Sequence, residues 1–161
     1  MPELLEWLEG TALGAIARES LYGFQVLVAI HLLGLIFSVG TLLWMDLRML
    51  GLCLTSQRLE DVYKELSRWF IVGFGIMLLS GTALFAGFAT SAYGNVYFRI
   101  KIAVMILAGI NAIAFHGLLK QNPASVDSGT PAAPIRAAGM FSLLAWGVVV
   151  FCGRMMSYTL F

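Results

Sequence analysis

Four long stretches of this chain are almost free of charge, and that constrains the fold more than any other feature. Leu21–Met45 and Phe70–Val96 contain no Asp, Glu, Lys or Arg. Ile102–Leu119 has only Asn111 and His116 as strongly polar groups, and Ala137–Phe161 has only Arg154 as a charge. A helix rises about 1.5 Å per residue, so roughly 20 residues cross the ~30 Å hydrocarbon layer of a bilayer. Each stretch is near or above that length. The sequence predicts an all-α membrane protein, a four-transmembrane-helix bundle forming a single integral membrane domain over 1–161. The helices are expected at about 21–45, 70–92, 98–120 and 137–160. Composition agrees: 12% of residues are charged, against about 25% in soluble chains, so a lipid bilayer is the expected solvent.

The connecting segments carry their own signals. Residues 3–19, ELLEWLEGTALGAIARE, are too short and too charged to span. Leu4, Leu5, Leu8, Ala12, Ala15 and Ile16 recur at helical spacing, with Glu6 and Glu9 on another side. This predicts an N-terminal interfacial amphipathic helix, anchored by Trp7. Its acidity and the length of the apolar run that follows do not match a cleaved signal. Residues 56–69, SQRLEDVYKELSRW, offer Ser56 as an N-cap, an apolar stripe of Leu59, Val62, Leu66 and Phe70, and a Glu60–Lys64 pair. They predict an aqueous helix leading into the second span. QNPASVDSGTPAAP, with its prolines and small polar residues, predicts a flexible loop before the fourth span.

Lys and Arg set the orientation. One side carries Arg48, Arg58, Lys64, Arg68, Lys120 and Arg136; the side of the termini carries Arg18, Arg99, Lys101 and Arg154. The positive-inside bias places both termini outside, which in a bacterial cytoplasmic (inner) membrane is the periplasm. A net charge of +1 with no basic stripe excludes nucleic acid as a partner. Cys53 and Cys152 fall at opposite faces of the membrane, so no disulfide is expected between them.

Both histidines lie within spans, where an imidazole is costly unless it has a partner. His31, Gly34, Ser38 and Thr41 share one helical face, narrow enough for a flat macrocycle or another helix to approach the backbone. Ligation of a haem b iron by His31 or His116 is the sharper reading, and a hydrogen bond to a neighbouring helix the plainer one. One haem held between the two histidines is disfavoured by depth. His31 lies far from the Asp46 end of its helix and His116 close to the Lys120 end of its own, a difference of roughly 16 Å. Met77 and Met105, near the level of His31, and Met140, near that of His116, are alternative iron ligands. Arg154, with Arg99 and Lys101, converges on the half of the membrane that holds His31, as a clamp on haem propionates would. Asp46 and Arg48 close the first span without sharing a face.

HLLGLIFSVGTLLWMDLRMLG, INAIAFH and GRMMSY together resemble a family of small four-helix bacterial integral membrane proteins of unknown function. The resemblance covers nearly the whole chain and rests on His31, Gly34, Asp46 and Arg48. It implies the fold and a bacterial membrane. More remotely, a histidine entering the first helix resembles the copper-resistance D membrane proteins and the haem-binding membrane protoporphyrinogen oxidases.

These readings converge on a membrane b-type haem protein in electron transfer, a subunit or partner of a redox complex that exchanges electrons with other membrane proteins or quinone. The competing expectation is a non-catalytic accessory subunit that packs within a larger membrane complex. A transporter is disfavoured by the lack of a repeat or a mid-membrane acid, and a hydrolase by the lack of a Ser–His–Asp or GxSxG pattern.

Overall fold

A computed structural model describes residues 2–121 and 131–160. Its elements, in chain order, are α1 (Pro2–Glu9), α2 (Ala12–Glu19), α3 (Gly23–Met49), α4 (Leu59–Gly87), α5 (Ala89–Gly94), α6 (Val96–Gln121) and α7 (Ala133–Leu160); no strand occurs among the described residues. Four of these helices, α3, α4, α6 and α7, are long and apolar enough to cross a membrane. The protein is an all-α, multi-pass membrane protein.

Its packing is that of a chain dissolved in lipid. Large apolar side chains point outward, among them Leu33, Ile36, Leu79 and Ile113, while Ser38, Asp46, Arg48, Ser80 and Ser142 are buried. Lipid tails are as apolar as leucine, so helices gain little by hiding leucines from them. They gain by close approach and by pairing polar groups.

Among the four spans, α3 and α4 make the tightest glycine contacts. A Cβ placed on Gly34 would lie 2.7 Å from the Met77 nitrogen, and one on Gly73 would lie 2.5 Å from the Ser38 nitrogen. Backbone therefore rests on backbone. This corrects one expectation. The small face of Gly34 and Ser38 is filled by α4 and leaves no room for a ring; the steric argument for a narrow face is satisfied by a helix.

α3 and α4 form one helical hairpin and α6 and α7 a second, with α3 also packing along α7. At the end of the bundle away from the termini (the loop end), the hairpins are locked together. A Cβ on Gly139 of α7 would lie 2.8 Å from the Met49 Cβ and 3.2 Å from the Asp46 carbonyl, so α3 and α7 meet closely there, with Asp46 and Ser142 both buried. Met49, Leu59, Phe115 and Ile135 make an apolar cluster beside them. Asn111 Nδ2 donates to the Ala138 carbonyl at 3.1 Å. Arg48 Nε and Nη2 both donate to the Gln57 carbonyl, at 3.1 and 2.8 Å, and so fold the α3–α4 loop back on its helix. Midway, Met77, Ala108, Ala145, Trp146 and Val149 make a second core. Trp146 meets Phe70 and Phe74 edge-on.

The connecting segments differ from the sequence reading in three places. Residues 3–19 form two helices, not one, because Gly10 interrupts the first and Thr11 starts the second, its hydroxyl accepting from the Gly14 N–H at 3.3 Å. The amphipathic stretch after residue 56 is not a separate surface helix. It is the first part of α4, which begins after Arg58 without a side-chain cap, so Ser56 is no N-cap. Glu60 and Lys64 do pair, at 2.8 Å. The second span ends at Gly87, and Phe88 leaves the helical conformation before α5 begins. Most of the proline-rich loop lies outside the described residues.

α2 and α5 roof the end where the termini lie (the terminal end). A Cβ on Gly14 would sit 2.9 Å from the Ala86 carbonyl, so α2 crosses the end of α4 closely. Glu9 Oε1 accepts from the Thr90 N–H at 2.8 Å and pins α1 to α5. Asn95 Nδ2 donates to Thr159 Oγ1 at 2.7 Å, tying the far end of α5 to α7.

The crossing of α3 and α4 makes a sharp prediction. Gly73→Val should destabilise the protein by about 3 kcal/mol, the upper range for forcing atoms into a full space. Gly75→Val, where a Cβ meets nothing within 4 Å, should change stability by no more than about 0.5 kcal/mol. Denaturant titration in detergent micelles measures both.

Candidate functional site

The two hairpins, locked at the loop end, part in the terminal half of the bundle and enclose a cavity of about 320 Å³. That is within the usual range for small-molecule sites, roughly 300–1,000 Å³. His31 lines it from α3, Met77 and Gly81 from α4, Lys101 from α6 and Arg154 from α7. Among the described residues, no acidic side chain lines it. The walls are otherwise apolar and aromatic. Phe24 meets Phe88 edge-on under the roof, at 5.7 Å between ring centres. Phe85 and Phe98 lie face to face at 5.1 Å and 8° and close the side between α4 and α6.

His31 is held from behind. Its Nδ1 is 3.1 Å from Ser80 Oγ. The Ser80 hydroxyl donates its own proton back along α4 to the Ile76 carbonyl, at 2.7 Å. With that proton on Ile76, the serine oxygen is open to accept from Nδ1–H, the arrangement that leaves the Nε2 lone pair unused by Ser80. Gly81 makes the approach possible, because a Cβ there would lie 3.1 Å from His31 Cε1.

Lys101 reaches the cavity although it lies in the second turn of α6. A Cβ on Gly153 would be 3.6 Å from its Nζ, so the amine rests against the bare backbone of α7. Arg154 stands one turn from Tyr158, donating to its hydroxyl at 2.9 Å with the guanidinium 4.6 Å from the ring centre. The arginine is thereby held at the edge of the cavity.

The structure brings His31, Lys101, Arg154 and Met77 to one place. It leaves the other expected site residues elsewhere. Arg99 is exposed on α6 and does not line the cavity, because it lies two residues from Lys101 and so on a different face. His116 is exposed near the loop end, its Nδ1 3.4 Å from the Tyr63 hydroxyl. It cannot share a ligand with His31. Met105 packs against the middle core, and Met140 is 48% exposed on the outside of α7, so neither faces the cavity. Met77 does face it, with its sulfur 3.8 Å from the Ser38 hydroxyl, which donates to it. Gly34 and Ser38 act one step back: they set the helix crossing that brings His31 to Ser80.

The sequence reading missed Ser80, Gly81 and the four phenylalanines. The only signal for Ser80 is a hydroxyl in the middle of an apolar span, where polar groups bond across helices. Nothing in a single sequence pairs it with a histidine 49 residues away.

Among the described residues, no group of three or more His, Cys, Asp or Glu gathers as a bare metal ion would require. A metal at His31 must bring most of its own ligands with it.

The chain matches DUF6644, a family of unknown function, over residues 4–159. It belongs to that family. No curated protein and no solved structure matches it. The chemistry of this DUF6644 member must therefore be argued from its cavity.

The Ser80 bond can be checked directly. Nitrogen-15 NMR of histidine-labelled protein should show His31 as the Nδ1–H tautomer. Ser80→Ala should abolish that fixed tautomer and cost about 1 kcal/mol or more of stability, the penalty for a donor left unpaired. His116 should be unaffected.

Proposed function

We propose that the cavity holds a b-type haem through His31 Nε2 and that the protein passes electrons as a subunit or partner of a membrane redox complex, with quinone as a candidate partner. One observation carries the reading: a histidine lines an apolar, aromatic-walled cavity edged by Lys101 and Arg154, with no acid among its described lining residues. The donor set fits the group. A single imidazole is too little for a bare ion but suits a macrocycle that supplies four nitrogens itself. Bound there, a haem would supply one-electron redox chemistry.

The roles of the chain's own residues follow. Ser80 fixes the tautomer and the ring orientation of His31, and bonds of this kind tune ligand strength. Lys101 and Arg154 match the negative charge of propionates, replacing Arg99 in the pair expected from sequence. Phe24, Phe85, Phe88 and Phe98 keep water from the ring face, and low dielectric is one of the protein's means of setting a haem potential. Met77 lines the cavity, but its sulfur is turned to the Ser38 hydroxyl in the α3–α4 contact, so His31 is the ligand the cavity offers.

The cations also bear on location. Of the four at the terminal end, Lys101 and Arg154 line the cavity, which leaves Arg18 and Arg99 to face the aqueous boundary. The loop end keeps Arg58, Lys64 and Arg68 exposed. This supports a bacterial inner membrane with both termini in the periplasm.

Two measurements test the reading. Protein purified with haem supplied during expression should show the reduced α-band of a b-type haem. His31→Ala should remove the band and His116→Ala should leave it. A wild type without any band defeats the cofactor reading and leaves the accessory-subunit reading, with His31 as a buried partner of Ser80. For orientation, Ser56→Cys in a cysteine-free background should resist an impermeant thiol reagent applied to intact cells; ready labelling reverses the topology.

A further inference from the structure

The side from which the cavity is filled is legible in the exposure of its walls. The lining residues contributed by α4, α5 and α6 are buried or half-buried. The most exposed of the lining residues belong to α3 and α7: Leu32 is 50% and Val150 37% exposed, and Arg154 and Ser157 are exposed as well. The cavity therefore has a mouth between α3 and α7. Leu32 and Val150 flank it within the apolar span, and Arg154 and Ser157 flank it nearer the terminal end.

The other approaches are more covered. The aqueous end is roofed by Phe88 and by Ala92, which is 1% exposed. That roof is held by the Glu9–Thr90 bond at 2.8 Å and the Asn95–Thr159 bond at 2.7 Å. The side between α4 and α6 is covered at the level of the cavity by the stacked, half-buried rings of Phe85 and Phe98. The loop end is shut by the locked hairpins. A polar group at one edge of an apolar opening matches a molecule that is itself amphipathic and lies in the membrane with its charge at the boundary.

We propose that the cavity exchanges its ligand sideways with the bilayer, through the mouth between Leu32 and Val150, and that the ligand is a planar, membrane-partitioning amphiphile whose acidic edge meets Arg154. This deepens the haem reading and rests on it for the identity of the ligand. The route itself depends only on the walls.

The test separates the two. In a Cys53→Ser, Cys152→Ala background, Val28→Cys places one thiol on the cavity wall. In lipid vesicles, an apolar maleimide dissolved in the bilayer should label it at least about tenfold faster than a charged thiosulfonate added to the water. Adding Leu32→Trp or Val150→Trp, each at a lipid-facing position that tolerates bulk, should slow the apolar reagent by about tenfold. Glu9→Gln, which loosens the roof, should not speed the charged one. Equal rates for the two reagents, or tryptophan variants that label at the parental rate, overturn the proposal. Haem uptake from donor vesicles supplies the second readout. The tryptophan variants should slow it by a similar factor and reach the same final spectrum, and uptake at the parental rate in both also overturns the route. A parent that labels as described yet takes up no haem upholds the mouth and defeats only the haem reading.

Discussion

Everything at the candidate site depends on how closely α3 and α4 approach each other. Lipid does not drive helices together by hiding apolar surface, so their contact must come from dispersion between well-fitted backbones and from polar pairs. Gly34 and Gly73 let the two backbones touch, within 2.7 Å of where a Cβ would stand. That contact fixes the register of one helix on the other. His31 lies one turn before Gly34 and Ser80 two turns after Gly73, on the same side of the crossing, and so they meet. A larger residue at either glycine would shift the register and with it the partner of the histidine.

The same economy explains why the bundle is tight at one end and open at the other. At the loop end, polar groups that would be costly alone in hydrocarbon find partners: Arg48 in the Gln57 carbonyl of its own hairpin loop and Asn111 in the Ala138 carbonyl of α7, while α3 meets α7 closely at Gly139. Arg48 is 1% exposed, and its Nη1 has no hydrogen-bond partner among the described residues. Its charge sits in the last turn of α3, where the helix dipole favours a cation. At the terminal end no such pairs join α3 to α7. Glycine and aromatic side chains line the gap, and the roof is built from the short helices α1, α2 and α5. A rigid base and a cavity beyond it are thus two results of where the polar residues fall.

The spans were legible because hydrocarbon imposes a length and forbids charge, and both conditions can be read along a single chain. The histidine was legible as unusual for the same reason. The depth argument that separates His31 from His116 needed only the rise of a helix. The grouping of the cations was legible in part. Lys101 and Arg99 sit in the same turn, and only the direction of each side chain decides that the first enters the cavity and the second faces out. The small face of α3 was legible as narrow, but a narrow face suits a ring and a helix equally well, and the helix took it.

What the sequence determined by itself is therefore the set of conditions each residue must satisfy: four helices in lipid, a histidine that needs a partner, and an interface that only small residues permit. Tertiary structure alone decided who satisfies them. Ser80 became the partner of His31, Gly73 the counterpart of Gly34, and Lys101 the cation in the cavity, because pairing across helices depends on register and rotation. Those are set by contacts between residues far apart in the chain, and no local pattern in a single sequence encodes them.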